Sequence, residues 1–320
     1  MLRDVQRWER LARAADLYFQ QGLTQDEVAR ELGLSRPSVS RLLKEARQEK
    51  VVEIRVHYPF RRATALERAL VAQFGLREAR VAAEDCSSQS SGLSTVGALA
   101  ASFLQQNLAE GSVVGLCSGS TTSAVIDAVS GDLRVRISVV QMVGSLGKVD
   151  QRIDSADLVR RLSNTVGGEY HLMPAPRLVE NPAIASAFLQ EKRIKEVLDL
   201  ARHAHIALIG IGSLNPQSSH LVQAGYLSAQ QIAELRAAGA VADVISRFVD
   251  IHGHPVPTRF DGCVVGLTLE ELRAIPLVIA AACGEAKSEA ILGALRAGMI
   301  HVLCTDRSAA ERVLHLNEIT

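Results

Sequence analysis

No stretch of the 320-residue chain approaches the roughly 18 uncharged apolar residues of a membrane span. Its first residues, MLRDVQRWERLARAAD, mix charges throughout and hold no apolar core of signal-peptide length. Cysteine is sparse: Cys86, Cys117, Cys263, Cys283 and Cys304 are odd in number, widely scattered and without a CxxC pair. That pattern argues against both a zinc site and a disulfide framework, and reduced thiols in a cytoplasm are the simplest reading. Net charge is lacking too, since 35 Lys+Arg cancel 35 Asp+Glu, which argues against a polybasic coat or an acidic tail. The expectation is a soluble, cytoplasmic protein with no membrane partner.

What is present is more telling. The length suits two unequal domains, and the 48% hydrophobic content is ordinary for a globular chain. Charge is uneven: residues 1–62 carry 13 Lys+Arg against 9 Asp+Glu, whereas the remainder carries 22 against 26. A small positive excess at one end suits a domain that meets phosphates. Within it lies TQDEVARELGLSRPSVSRLLKEAR, residues 24–47. Thr24 and Glu27 have the spacing of a capping box, Val28, Ala29 and Leu32 form one apolar face, and Gly33 stands where a left-handed residue ends a helix. Ser35 is expected to cap the next helix, with Pro37 tolerated in its first turn. Val39, Leu42, Leu43 and Ala46 recur at helical spacing and face inward, leaving Arg36, Pro37, Ser40, Arg41 and Lys44 wet.

This is the layout of a helix-turn-helix, whose second helix lies in the major groove of double-stranded DNA. Arg36, Ser40 and Arg41 suit base edges, while Ser38 and Lys44 suit phosphates. An ordinary helical hairpin with a solvated face has the same spacing. Three signs favour DNA. RWERLARAADLYFQQG supplies a third apolar stripe from Trp8, Leu11, Ala15 and Tyr18 or Phe19. VVEIRVHY, residues 51–58, reads as a wing strand, and the local charge is positive. One such helix touches few bases, so self-association on half-sites about 34 Å apart is implied. Trp8 and the helix within 61–74 are candidate surfaces for it, or equally intradomain packing.

HYPFRRAT reads as the connector, giving a winged helix-turn-helix domain over 1–58 and a larger domain over 59–320. AAEDCSSQSSGLST reads as a surface loop entering a helix over 96–108. Apolar runs at 112–116, 135–144, 205–212, 276–284 and 299–305 read as buried strands, with helices such as NPAIASAFLQEKRIKEVLDLARHA and EAKSEAILGALRAG between several of them. Such alternation argues for a mostly parallel sheet covered on both faces, whose ligands sit outside the carboxyl ends of its strands.

Several strand ends there carry candidate chemistry. In GLCSGSTTSAVIDAV, small residues Ser118, Gly119 and Ser120 lead to Thr121 and Thr122 at a helix start, where N–H groups and hydroxyls can surround an anion. The loop lacks the GxxxxGK[ST] spacing, so NTP hydrolysis is not indicated; a plain strand-to-helix turn looks the same. In AACGEAKSEAILGAL, Lys287 opens a helix against the macrodipole, a cost that a bound anion would relieve. Asp243, in the apolar run AVADVI, must find water, a local cap or sugar hydroxyls. GIGSLNP, 210–216, is too generic to name a ligand. His252 and His254 have no third ligand at metal spacing, so no metal is expected.

Together these segments resemble the SorC family of sugar-responsive bacterial transcription regulators. The likeness runs over nearly the whole chain, through YFQQGLTQDEVARELGLSRPSVSRLLKEARQEKVVEIRV, GSTT, HLMPAPRLVE, HIALIGIGS, GYLS, GAVADVISRFVDIHG and GEAKSEAILGALRAGMIHVLCTD. The resemblance implies a winged helix-turn-helix followed by a Rossmann-like α/β domain similar to sugar-phosphate isomerases and deaminases. It also implies a phosphorylated sugar or polyol as effector, no cofactor, and a homotetramer, a dimer of dimers, on the operator of a carbohydrate or polyol catabolic operon. Carried over by position, Ser120, Thr121 and Thr122 are phosphate-loop hydroxyls and Lys287 pairs with the phosphate. Asp243 holds sugar hydroxyls, and Gln141 and Gly144 form a further wall. The chain departs from the family pattern at Cys283, His205, Cys117 and Ser118, which bears on which effector it takes. The competing class is a sugar-phosphate isomerase or deaminase with a DNA-binding extension. Such an enzyme needs an acid–base pair, and Asp243 has no obvious second member in the sequence.

Overall fold

A computed structural model describes residues 2–49, 51–52, 61–83, 89–130, 135–147 and 150–320. It divides into two compact units, Met1–Pro59 and Phe60–Thr320. In the first, α1 (Leu2–Ala15) runs on into a π-helical turn, Asp16–Gln20, followed by α2 (Gln25–Leu32) and α3 (Arg36–Gln48). The capping box forms: Thr24 N–H donates to Glu27 Oε2 at 2.8 Å and Glu27 N–H to Thr24 Oγ1 at 3.4 Å. Gly33 closes α2 with φ 61°, a conformation that costs residues with a Cβ. Ser35 does sit at the start of α3, but its hydroxyl pairs with Ser38 Oγ at 2.9 Å rather than with a backbone N–H. Its carbonyl, not its side chain, takes the amides of Ser38 and Val39.

Leu11, Ala14, Ala15, Val28, Val39, Leu43 and Ala46 form the core of this unit, with Tyr18, Phe19, Leu32 and Leu42 packed against it. Trp8, expected in that stripe, is 50% exposed instead. Val51 and Val52 lean on the same core. The rest of the expected wing, 53–58, and the start of the connector, 57–60, lie outside the described residues.

The second unit is built on a seven-stranded parallel sheet of β1 (Glu78–Ala82), β2 (Val113–Leu116), β3 (Ser138–Gln141), β4 (Glu169–His171), β5 (Ile206–Gly210), β9 (Leu277–Ala281) and β10 (Val302–Asp306). A small antiparallel sheet holds β6 (Gly212–Ser213), β7 (Ala240–Val244) and β8 (Arg247–Asp250). The helices are α4 (Thr64–Phe74), α5 (Gln89–Asn107), α6 (Ser120–Ala128), α7 (Ser155–Val166), α8 (Pro182–Gln190), α9 (Lys192–Arg202), α10 (His220–Gln223), α11 (Ala229–Ala237), α12 (Leu269–Arg273), α13 (Ser288–Arg296) and α14 (Arg307–Ile319). Strand residues alternate between two cores. Ile206 and Leu208 join α5, α6 and α7 through Leu104, Val125 and Leu162, whereas Ala207 and Ile209 join α9, α13 and α14 through Leu198, Ile291 and Val313. Both faces are therefore covered, the arrangement a buried parallel sheet requires.

The five apolar runs fall on β2, β3, β5, β9 and β10, while β1 and the three-residue β4, which mix charged or polar residues with apolar ones, add strands at the edges. Two sequence expectations are corrected. The serine-rich run from Gln89 is the first turns of α5, not a loop, and α5 packs on α6. Gly97 permits that approach, since a Cβ there would lie 2.6 Å from Ala124 O. The helix expected over NPAIASAFLQEKRIKEVLDLARHA breaks at Glu191, whose carboxylate caps α9 by accepting the N–H groups of Arg193 and Ile194. The strand order is β1-β10-β9-β5-β2-β3-β4. The chain steps outward from β2 through β3 to β4, then returns to place β5 on the other side of β2. That reversal opens a crevice at the carboxyl ends of β2 and β5.

Candidate functional site

A cavity of about 400 Å³ occupies this crevice. Its walls come from the loop after β2 (Cys117 to Thr121), the β5–β6 turn (Gly210 to Ser213), residues 217–221, the β7–β8 hairpin, Lys287 and Arg177. Of the expected effector residues, Ser118, Gly119, Ser120, Thr121, Asp243 and Lys287 line it. Thr122 is fully buried beneath the loop, outside the lining, and among the described residues its Oγ1 has no hydrogen-bond partner. Ser118 is also buried and its Oγ likewise has no partner among the described residues, but it faces the cavity. A desolvated hydroxyl without a partner is costly, and an oxygen-rich ligand would relieve it. The α6 N-terminus opens beside it, with first-turn amides that have no intrahelical acceptor.

Lys287 sits at the N-cap of α13 and donates from Nζ to Ile211 O at 3.0 Å. Burial pushes its pKa down, and the Cys283 thiol and Asp243 oppose that shift. Asp243 lies on β7 opposite Gly212 of β6. A Cβ on Gly212 would come within 3.1 Å of Asp243 Cβ, so glycine lets this wall close. Burial pushes the Asp243 carboxyl pKa up, with Arg177, the Ser246 N–H and Lys287 pulling the other way. The Ser246 N–H donates to Asp243 Oδ1 at 2.7 Å. That bond is made by a two-residue hairpin turn in which Ile245 and Ser246 have φ 48° and 63°. A β-branched residue with positive φ is strained, by about 1–3 kcal/mol, and here the strained turn aims the Ser246 N–H at the Asp243 carboxylate on the cavity wall.

Gln141 and Gly144 are corrected: neither lines the cavity. Gln141 is fully buried and committed internally, donating to Ser145 Oγ (3.1 Å) and Ser155 Oγ (2.9 Å) and accepting the Met173 N–H (3.0 Å). Gly144 is a close-packing position, since a Cβ would fall 2.3 Å from Pro176 O. Two lining residues gave no signal in the sequence reading. Arg177, in PAPRLVE, is only 4% exposed and donates from Nε to Gly144 O at 3.2 Å. His220 opens the short α10, and burial, then Lys287 and Arg177, lower its pKa to about 4. Its imidazole is therefore neutral near pH 7. His252 and His254 instead donate backbone N–H groups to Asp250 Oδ1, and no metal-holding cluster occurs among the described residues.

In the first unit, Arg36, Pro37, Ser40, Arg41 and Lys44 are exposed along α3 and Ser38 is part-buried. Arg41 Nε donates to Pro37 O at 3.4 Å. Arg36 makes a 3.8 Å ion pair with Asp26, exposed on both sides and worth little in water. On α3, then, an exposed polar face of hydrogen-bond donors backs onto an apolar core.

The fold and site define a two-part protein, a helix-turn-helix joined to an α/β ligand-binding domain. Residues 58–315 match the sugar-binding domain family, and residues 6–69 match the Crp-like helix-turn-helix domain. The sorbitol operon regulator of Klebsiella pneumoniae is 32% identical over 306 residues, 95% of this chain and 97% of that one. The transcriptional regulator LsrR of an Enterobacter species is 31% identical over 317 residues, 96% and 93% of the two chains. The crystal structure of the full-length sorbitol operon regulator SorC from Klebsiella pneumoniae superposes with TM-score 0.72 at 30% identity, over 96% of this chain and 99% of that one. A sugar-binding domain of a transcriptional repressor from Vibrio fischeri gives 0.73 at 34% identity, over 80% and 100%. The chain belongs to the SorC family of sugar-binding transcriptional regulators. Among the described residues, no helix is long and apolar enough to cross a membrane.

Proposed function

We propose that this chain regulates a carbohydrate or polyol catabolic operon and that a phosphorylated sugar or polyol in the larger unit sets its affinity for operator DNA. One observation carries the reading. Ser118 and Thr121, on the loop after β2, face the same cavity at the start of α6 as Lys287, which lies far along the chain after β9. The phosphate would take the α6 amides, the two hydroxyls and the Lys287 ammonium, in a site screened from water. Asp243, held by Ser246, would accept from sugar hydroxyls, and neutral His220 can donate or accept beside it. Residues 1–58 would read the duplex through Arg36, Pro37, Ser38, Ser40, Arg41 and Lys44. Residues 59–320 would bind the effector and assemble the protein as a cytoplasmic homotetramer, a dimer of dimers whose paired reading heads meet two half-sites.

Control requires that the effector prefer one arrangement of that assembly. A hundredfold change in operator affinity corresponds to about 2.7 kcal/mol of coupling, within the usual allosteric range. The test is a gel-shift titration on the operator with matched phosphorylated and unphosphorylated sugars and polyols. A phosphorylated compound should move the midpoint and its unphosphorylated parent should not; equal action of both would end the phosphate assignment. The enzymatic alternative draws on the same cavity, because Asp243 and His220 are the two titratable groups an isomerase would use. Asp243 is already tied to Ser246 N–H, which favours binding over proton transfer. Steady turnover of aldose or ketose phosphates would reverse that preference.

A further inference from the structure

Arg177, on the cavity wall, is only 4% exposed. Its Nε is used by Gly144 O at 3.2 Å, and Nη2 lies 3.7 Å from Cys117 Sγ, a weak acceptor. Among the described residues, it forms no ion pair. Lys287, the other cation of the wall, is held by a carbonyl and likewise makes no ion pair among them. The cavity therefore presents two fixed cations. Of the carboxylates on its wall, Asp150, at the rim, is paired with Arg152 at 3.1 Å, and Asp243, whose bond from the Ser246 amide leaves its charge in place, is set against both cations.

A desolvated guanidinium is expensive unless an anion meets it. A sugar hydroxyl would satisfy an N–H group but leave the charge. One phosphate at α6 and Lys287 accounts for a single anionic group. The Nε anchor leaves the Nη1 and Nη2 donors of the planar fork as the part able to reach a ligand, a geometry that matches carboxylate or phosphate oxygens.

We propose that Arg177 is a specificity-determining residue that binds a second anionic group of the effector, which makes the preferred ligand a doubly anionic sugar: a phosphorylated sugar acid or a bisphosphate. This rests on the phosphorylated effector proposed above. Gly144 supports it, because the glycine allows the close packing that sets its carbonyl against Nε. Asp243 and His220 both feel the Arg177 charge, which puts the guanidinium beside the groups assigned to the sugar.

The test is calorimetry on the full chain with three probes: a hexitol monophosphate, 6-phosphogluconate and fructose 1,6-bisphosphate. Wild type should bind one of the two doubly anionic probes at least about tenfold more tightly than the monophosphate, and which one wins tells carboxylate from second phosphate. Arg177→Met should erase that preference while leaving monophosphate affinity within about threefold. Arg177→Lys, which keeps the charge, should retain part of it, so loss of fold is separable from loss of recognition. Two results overturn the assignment while leaving the phosphate reading intact: monophosphate binding without preference in wild type, or an equal loss for all three probes in Arg177→Met. Binding of none of the three, with the unphosphorylated hexitol still bound, overturns the phosphate reading and this assignment together.

Discussion

The proposed reading surface on α3 and the cavity beside α6 are built on opposite plans. The first is one contiguous, exposed stretch whose polar residues share a helix face because of their spacing, and whose ligand comes from outside. The second draws side chains from positions as distant as Ser118 and Lys287 and partly buries them. A large ligand such as DNA can be met by a convex helix, whereas a small one must be surrounded before it loses enough water to bind tightly. The difference teaches that charges in the two places have different worth. Arg41 on the open face is cheap to hold and screened by salt, whereas Lys287 and Arg177 carry a desolvation cost that a ligand can repay.

The strongest challenge to this contrast is Lys287→Ala. Affinity for a phosphorylated effector should fall by about a hundredfold, as loss of a buried charge-assisted contact requires, with little change for the unphosphorylated sugar. Equal losses in calorimetry would mean that Lys287 supports the loop through Ile211 and not the ligand. Next comes Arg41→Ala, which should weaken operator binding by about 1–3 kcal/mol in a gel shift and leave effector binding unaltered. Retained operator affinity would move the groove contact elsewhere on α3. A third test concerns His220. Its pKa falls from 6.5 unfolded to about 4 folded, so between those values the unfolded chain binds more protons. The contribution of the neutral imidazole is full well above pH 6.5 and is lost as pH falls toward 4, with about 2 kcal/mol gone at pH 5. Denaturant melts of wild type and His220→Gln at pH 7 and pH 5 check it, the variant losing less on acidification. Equal losses would show that His220 is not desolvated.

Legibility follows the same division. Thr24, Glu27 and Gly33 announce α2 because capping and left-handed closure are settled within one turn of chain. The apolar runs of β2, β3, β5, β9 and β10 are visible because a strand buried on both faces has no polar positions to spare. The edge strands β1 and β4 mix Glu78, Arg80, Glu169 and His171 with apolar residues and carry no such mark. At the cavity, Ser118 to Thr121, Asp243 and Lys287 stood out as small or charged residues at strand ends. Gln141 occupies an equivalent position yet turns inward, because Ser145, Ser155 and the Met173 amide satisfy it completely. Nothing near Arg177 or His220 in sequence hints at a cavity, since each depends on neighbours more than 25 residues away for its setting.

The α2 capping box, the Gly33 turn and the wet face of the helix-turn-helix are decided by the sequence alone, because interactions at i+3 and i+4 need no knowledge of the rest of the chain. Which strand ends become neighbours is decided by the tertiary structure, because the order β1-β10-β9-β5-β2-β3-β4 is not chain order and only the reversal beside β2 brings Ser118 and Lys287 to one hollow. Burial then shifts the ionisation of Asp243, Lys287 and His220, and burial is a property of the assembled fold.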